Sequence, residues 1–315
     1  MKKKVLVIGA GISGLASAYR LVEHGYQVTI ISKEFSPNTT SNKAAAFWFP
    51  FHVRNDQRAT EWSKKSYYFF ETLAKNSLTG ISMFPLLKAS KPNSNDEDSW
   101  MDFMPEGSFA KLSSMDLPIG YEIGYYATVP LIETQIFLPW LMNELMMKGV
   151  QFLKDEISSL AKINNDYEII VNCSALGARN LCKDYSVIPV RGQVVLLEPN
   201  NFTRIFLDNQ NPTYIVPRKD ATIIGGTYEE NIFDTTTVAD DLSRLLKNAL
   251  DIFPTLETKN VIGNWAGLRP FRDKVRLESD GNIIHNYGHG GSGFTLSFGC
   301  ADEVVSIANS IYGSS

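Results

Sequence analysis

The sequence predicts an α/β chain in which a parallel-sheet domain of βαβ units is interleaved with an α+β domain built on a mainly antiparallel sheet. Three observations predict it. The first 35 residues read as strand, glycine turn, helix, strand. Short β-rich runs alternate with turns from Val187 to Thr227. A glycine-rich loop, His285 to Gly293, then leads into a closing helix. The β-rich block lies between two segments that each set glycines ahead of a helix, so the domains are expected to interleave. The expected division is 1–50, 137–186 and 266–315 for the parallel domain, and 51–136 and 187–265 for the other.

The elements follow in order. Lys4 to Ile8 is a short apolar run, as suits a strand covered on both faces. Ser13 to Glu23 carries apolar residues at helical spacing, Gly25 is a plausible stop, and Gln27 to Ile31 is a second β-rich run. Pro92 to Ser99 is polar and reads as a surface loop. Glu133 to Lys148 reads as a helix ended by Gly149, with strands at Val150 to Leu153 and Tyr167 to Cys173. Gln193 to Leu197, Thr213 to Val216 and Thr222 to Ile224 are the β-rich runs of the antiparallel block. Thr237 to Ile252 and Phe294 to Tyr312 read as helices.

Composition excludes several classes of function. With 315 residues, 44% hydrophobic and 20% charged, the chain can bury one large or two intermediate cores. The formal net charge is -4 with the signs mixed, so no basic stripe is present to neutralise nucleic-acid phosphates. The one basic run, Lys2 to Lys4, abuts the first strand. Cys173, Cys182 and Cys300 show neither C-x-x-C spacing nor a metal pattern with His, so no metal is expected and a reducing, cytoplasmic compartment is. No run of about 18 apolar residues predicts membrane insertion.

Five segments carry chemistry. Gly9-Ala10-Gly11-Ile12-Ser13-Gly14 is a G-x-G-x-x-G between strand and helix, the Rossmann-like dinucleotide signature. Its glycines give a tight turn, close approach to a pyrophosphate, and helix–strand packing. Ile12 and Ser13 open the helix, whose free N–H groups favour the phosphates. That motif wants an acid about 20 residues on for the ribose, and Glu34 lies 20 residues after Gly14. A solvated loop acid is the other reading of Glu34.

The second segment, Thr39, Thr40, Ser41, Asn42, Lys43, Ala44, Ala45, Ala46 and Phe47 through Pro50, sets small residues before aromatics. Small side chains let backbone N–H groups face a flat ring, and aromatics can wall a pocket. An ordinary core segment has the same composition. Ser174 and Ala175 follow the strand at Val171 in the third segment, where backbone contact and plain packing read alike. In the fourth, Arg269 sits between apolar residues and Pro270. It calls for an anion, either a ligand carboxylate or an internal acid. The fifth, His285 to Thr295, brings Gly290, Gly291, Ser292, Gly293 and Phe294 against a ligand as nearly bare backbone. His285 and His289 read as structural, satisfying backbone groups, since neither a Ser or Cys nucleophile nor a metal pattern accompanies them.

Together these segments resemble the D-amino-acid oxidase family, from Val5 to about Ile307. The most specific stretches are Thr39 to Phe51, Arg191-Gly192-Gln193, Tyr214 to Pro217, Ile224 to Thr227, Gly267 to Glu278 and His285 to Ala301. Asn42 to Pro50 and Pro217-Arg218 look closer to bacterial members. The resemblance implies FAD, held noncovalently, and oxidation of a free amino acid by hydride transfer from Cα, with molecular oxygen as the second substrate. It assigns the substrate carboxylate to Arg269 and Tyr214, and the amine to the Gly291 carbonyl. Ala45, Ala46 and Phe47 would contact the flavin ring, and Thr295 its pyrimidine edge. Ile157 and Ser174 would lie near the adenosine and diphosphate.

Two positions depart from the animal members. Lys33 stands where they carry the ribose acid, which leaves Lys33 or Glu34 for that contact. Gln210 stands at a lid tyrosine. Trp48, Phe49 and Phe51 are expected to wall the pocket and to favour neutral, fairly large D-amino acids. A homodimer is an assembly left open. Four rivals remain at this stage. They are a dehydrogenase with a non-oxygen acceptor, an acidic-substrate oxidase using Arg218 or Arg204, a flavin binder without catalysis, and a nicotinamide enzyme.

Overall fold

The computed structural model describes all residues except 1–2, 52–56, 92–97, 164–165, 209–212, 257–259 and 314–315. Lys2, most of the expected loop Pro92 to Ser99, and Gln210 therefore lie outside the described residues.

The chain runs through β1 (Lys4–Ile8), α1 (Ile12–Glu23), β2 (Gln27–Ser32), α2 (Gln57–Leu73) and β3 (Ile81–Ser90). It continues with β4 (Phe109–Lys111), β5 (Ile123–Ile132), α3 (Thr134–Met147), β6 (Gln151–Lys154), β7 (Ile169–Asn172) and α4 (Ala178–Leu181). Next come β8 (Ile188–Leu197), β9 (Ile205–Asp208), β10 (Thr213–Pro217), β11 (Thr222–Gly225) and β12 (Glu229–Glu230). It closes with α5 (Ala239–Ile252), β13 (Val261–Asp280), β14 (Ile283–His289) and α6 (Gly293–Gly313).

One continuous sheet results, in the order β4-β5-β3-β9-β10-β11-β8-β13-β14-β7-β1-β2-β6. From β14 to β6 every pairing is parallel. From β8 to β11, β10 and β9 every pairing is antiparallel. The parallel strands come from the two ends and the middle of the chain, so the α/β interleaving expected from the sequence is present. β1 is buried at Val5, Leu6, Val7 and Ile8, as a strand sandwiched by helices must be. α1 packs its Leu15, Ala18 and Leu21 side inward and lies against α6, and α2 covers α6 in turn.

β13 joins the two halves. It pairs antiparallel with β8 through Phe271↔Ile188, then with β14 through Phe271↔His289 and again from Arg276↔Tyr287 after an irregularity. Arg269 and Pro270 therefore sit where one strand changes partners. The segment His285 to His289, expected as loop, is strand β14, and only Gly290–Ser292 form a turn before α6. The apolar pair Ile283–Ile284 extends the strand, and its parallel partner β7 satisfies its backbone.

Two glycines are required by contact. Gly9 has φ +102°, and a Cβ there would lie 2.5 Å from the Cys173 carbonyl oxygen. A Cβ on Gly14 would lie 1.9 Å from the Gly9 carbonyl oxygen. These glycines set how closely α1 approaches β1 and β7, and so where the N-terminus of α1 points.

Candidate active site

Several stretches of chain converge on one cavity of about 400 Å³, inside the range of roughly 300–1,000 Å³ usual for small-molecule and cofactor sites. One end is built by the start of α1. Gly11, Ile12 and Ser13 line it, and no side chain caps the helix from its Gly11 N-cap. The Ile12 N–H donates to Ser41 Oγ at 3.0 Å, tying that helix start to the segment that follows β2. Lys33 and Glu34 line the same end. Their charges meet Glu156 and Lys154, each at 3.2 Å, in pairs open to water. Such pairs hold little free energy and leave both residues able to meet a ribose.

The middle is built by Thr39, Thr40, Ser41, Ala44, Ala45, Ala46 and Phe47 on one wall, with Ser174 and Ala175 on another. Ala46 and Ala175 both hold a left-handed backbone, at φ 55° and 53°. Non-glycine residues adopt that conformation rarely and at a cost of order 1–3 kcal/mol, chiefly where the surroundings enforce it at a functional site. Ile132 N–H donates to Ala46 O at 2.8 Å and Trp48 N–H to Pro130 O at 2.8 Å, which pins this segment on β5. The Ser174 hydroxyl is committed to Asn172 Oδ1 at 2.6 Å. Gly290, Gly291, Gly293, Phe294 and Thr295 complete the middle, at the start of α6. The Thr295 hydroxyl donates to Phe49 O at 2.8 Å and accepts from Phe49 N–H at 3.2 Å.

The other end holds Arg269 and Tyr214. The Arg269 guanidinium lies flat on Gly192, since a Cβ at that glycine would sit 2.3–2.4 Å from its NH2, Cζ and NH1 atoms. It donates to Thr227 O at 3.0 Å, and its charge acts on the Tyr214 phenol. Among the described residues no carboxylate pairs with it, so the internal-acid reading has no partner on the page. Tyr214 in turn fits only because residues 225 and 226 are glycines. A Cβ at Gly225 would meet its ring at 2.3 Å, and one at Gly226 would meet its hydroxyl at 2.8 Å. Burial raises the Tyr214 pKa, and the Arg269 charge opposes the shift, so the phenol stays protonated at neutral pH. Phe47, Phe49, Phe51, Val194 and Leu207 supply the apolar surface here.

Four of the residues expected to hold the cofactor are not on the wall. Gly9 and Gly14 act behind it, as above. Ile157 packs beside the small cluster of Leu6, Ile8 and Ile170. The Ser292 hydroxyl is buried and donates to Phe51 O at 2.8 Å. The expectation for Trp48 is corrected. It is fully buried, its Nε1–H donates to Ser63 O at 3.0 Å, and its ring meets Tyr67 edge-on. Neighbours along an extended segment face opposite ways, so Phe47 and Phe49 reach the cavity while Trp48 turns toward α2.

The histidine expectation also changes. His285 Nδ1 lies 3.3 Å from the Asn172 side chain, and His289 Nδ1 lies 3.3 Å from Ser13 Oγ. Their contacts are to side chains rather than to backbone groups. His289 lines the cavity, its Nε2 is buried without a partner, and burial pushes its pKa down to about 4. Residues that the sequence reading did not single out for the site include Gly192, Val194 and Leu207. A glycine inside a β-rich run was the available signal for Gly192.

These features fit a flavin dinucleotide. A helix start faces one end, strained small residues expose backbone in the middle, and the buried His289 Nε2, without a partner among the described residues, awaits a polar group. Comparison with known proteins agrees. The family model of FAD dependent oxidoreductases matches residues 4–307. A D-amino-acid oxidase from Rubrobacter xylanophilus is 35% identical over 97% of this chain and 95% of its own. One from Dictyostelium discoideum is 30% identical over 98% and 92%. Among solved structures, glycine oxidase from Bacillus cereus superposes with a TM-score of 0.83 at 18% identity, covering 98% of both chains. Fold and site define a flavin-dependent oxidoreductase. The chain belongs to the D-amino-acid oxidase family, its cofactor is FAD, and its chemistry is the oxidation of amino acids.

Proposed function

We propose that the chain oxidises free D-amino acids with neutral, fairly large side chains to 2-oxo acids and ammonia, with oxygen reduced to hydrogen peroxide. The observation that carries this reading is Arg269. It is a half-buried guanidinium on the cavity wall, aimed by Thr227, Tyr214 and Gly192, with no carboxylate beside it among the described residues. A planar guanidinium there takes a substrate carboxylate through two parallel hydrogen bonds.

Bound FAD supplies the two-electron acceptor and the route to oxygen. The residues supply position. Arg269 and the protonated Tyr214 phenol hold the carboxylate, and the Gly291 carbonyl accepts from the neutral amine. Phe51 crowds Gly291, where a Cβ would lie 2.8 Å from its ring, so the amine can reach the carbonyl only past a bare backbone. Phe47, Phe49, Val194 and Leu207 exclude water around the side chain. Among the described residues no carboxylate on the cavity wall stands near Arg269 and Tyr214, which suits loss of the Cα hydrogen with its electrons rather than proton abstraction by a base. D-selectivity rests on the two relatives.

An acidic side chain would need a second cation in the pocket. Arg218 is bound by Asp220 at 2.6 Å, lies 3.9 Å from Glu133, and is not on the wall; Arg204 is not there either. Lys43 does line the cavity, but its Nζ donates to Ala266 O at 3.2 Å. Among the described residues this favours neutral substrates. The test is peroxide release from a panel of D- and L-amino acids. The reading predicts turnover of D-phenylalanine and D-methionine above D-aspartate, and none of the L-forms. Faster D-aspartate turnover overturns the side-chain preference, and electron transfer to a quinone without peroxide overturns the oxygen assignment.

A further inference from the structure

A polar cluster stands behind Arg269, off the cavity wall. It starts at the Thr227 carbonyl, which accepts from Arg269. The Thr227 hydroxyl is held from both sides, donating to Glu229 Oε2 at 2.9 Å and accepting from Gln193 N–H at 3.0 Å. Glu229 receives both arms of Arg191, at 3.0 and 2.6 Å, and the Gln193 side-chain amide at 2.9 Å. Gln193 reaches on to Asp241 at 2.7 Å and accepts from Val238 N–H at 2.7 Å, at the start of α5. Arg191, Gln193 and Thr227 are all buried, while Glu229 keeps one side toward solvent.

We propose that Glu229 is a positioning residue for the Arg269 guanidinium, acting through Thr227. The inference rests on the reading that Arg269 binds the substrate carboxylate. A guanidinium presents its five donors in one rigid plane, so fixing one N–H fixes the aim of the others. Gly192 forms the floor and leaves the plane free to rotate upon it. The Thr227 carbonyl stops that rotation, and its direction is set by a hydroxyl clamped between Glu229 and Gln193. Hydrogen bonds to charged groups are the strong ones, and Glu229 is gripped on both oxygens, so the clamp is stiff. The hydrogen bonds from Arg191 hold the Glu229 carboxyl down to about 2, and the clamp is therefore anionic at neutral pH. Glu229 touches neither the cavity nor any residue assigned to FAD, so its effect must pass through Arg269.

The experiment titrates holoenzyme with benzoate, a carboxylate without an amine, and reads the change in FAD absorbance. Glu229→Gln is expected to raise the benzoate Kd about tenfold, the value of one hydrogen bond to a charged group, with FAD content unchanged. Thr227→Val keeps the carbonyl, removes only the hydroxyl, and is expected to shift the Kd in the same direction. In an Arg269→Lys background Glu229→Gln is expected to change the Kd by less than about twofold, because the coupling partner is gone. If Glu229→Gln and Thr227→Val lower the melting temperature yet bind benzoate as wild type does, the cluster only staples its loop and the inference fails. If Arg269→Lys itself binds benzoate like wild type, the carboxylate reading of Arg269 fails and takes this inference with it.

Discussion

Arg269 lies two residues out of register from Gly192 on the adjacent strand, and its guanidinium leaves no room for a methyl group on that glycine. The guanidinium covers the Gly192 backbone, and an added Cβ would stand 2.3 Å from its NH2. Gly192→Ala must therefore tilt or lift the arginine. Misplacement of about 1 Å at a substrate-positioning group can cost about a hundredfold in rate. The expected outcome is kcat/KM reduced by about ten- to a hundredfold, with FAD content near wild type, because the contact lies on the substrate side. Steady-state kinetics together with the flavin-to-protein absorbance ratio check it. Wild-type kinetics would mean that the arginine has freedom to spare.

Tyr214 contributes a neutral donor, so its removal should be felt less. Tyr214→Phe should lower kcat/KM about tenfold to a hundredfold, within the roughly 1–3 kcal/mol of a hydrogen bond to a charged group. Burial raises its pKa above the ordinary value for tyrosine. Carboxylate binding should accordingly persist through pH 10, where an ordinary tyrosine would lose its proton. A benzoate affinity that falls with a midpoint below pH 10 in wild type and not in Tyr214→Phe would contradict this assignment of the phenol.

His289 links the site to stability. Its folded-state pKa of about 4 lies below the ordinary histidine value of about 6.5. The unfolded chain therefore binds more protons in that window, and stability falls as pH drops from about 6.5 through about 4. His285, also lowered by burial, acts with the same sign. FAD-free protein should show a melting temperature that declines over this range, and His289→Leu should flatten the decline in part, since His285 remains. An unchanged slope in the variant would show that His289 is solvated in solution.

Much of the parallel half was legible because its signals are local. An apolar run, three glycines and a helical period fall within the first 35 residues, and β1, α1 and β2 lie where those signals put them. The glycines at 9 and 14 have contacts that no other residue could make. Elements missing from the reading carry mixed signals. α2 turns Ala59, Trp62, Ser63, Ser66, Tyr67 and Phe70 to the core, and the two serines hide the apolar stripe. They serve because Ser66 Oγ donates to Trp62 O and accepts from the Phe298 and Gly299 N–H groups of α6. β3 holds Pro85 at mid-strand and a buried Lys88, both of which argue against a strand on sequence grounds.

β13 was the hardest to see. Its 20 residues include Gly267, Pro270 and a run of charges, and neither alternation nor a continuous apolar stretch survives when a strand exchanges one partner for another. At the site, Arg269 and the glycines announce themselves by type, whereas Tyr214 was reached through the family resemblance. Val194 and Leu207 do not announce themselves, because a pocket wall and a core position ask the same thing of an aliphatic side chain. Trp48 was misplaced for a related reason, since the sequence shows three aromatics in a row and not which way each turns.

The central claim is that Arg269 receives the substrate carboxylate, and Arg269→Leu tests it most directly. Breaking a buried ion pair costs roughly 3–5 kcal/mol, and each ~1.4 kcal/mol is a factor of ten. The account predicts kcat/KM lower by about two to four decades in Arg269→Leu, only partial recovery in Arg269→Lys, and FAD content and fold retained in both. Loss of FAD or of the fold in Arg269→Leu, with Tyr214→Phe fully active, would contradict the account and make the arginine structural.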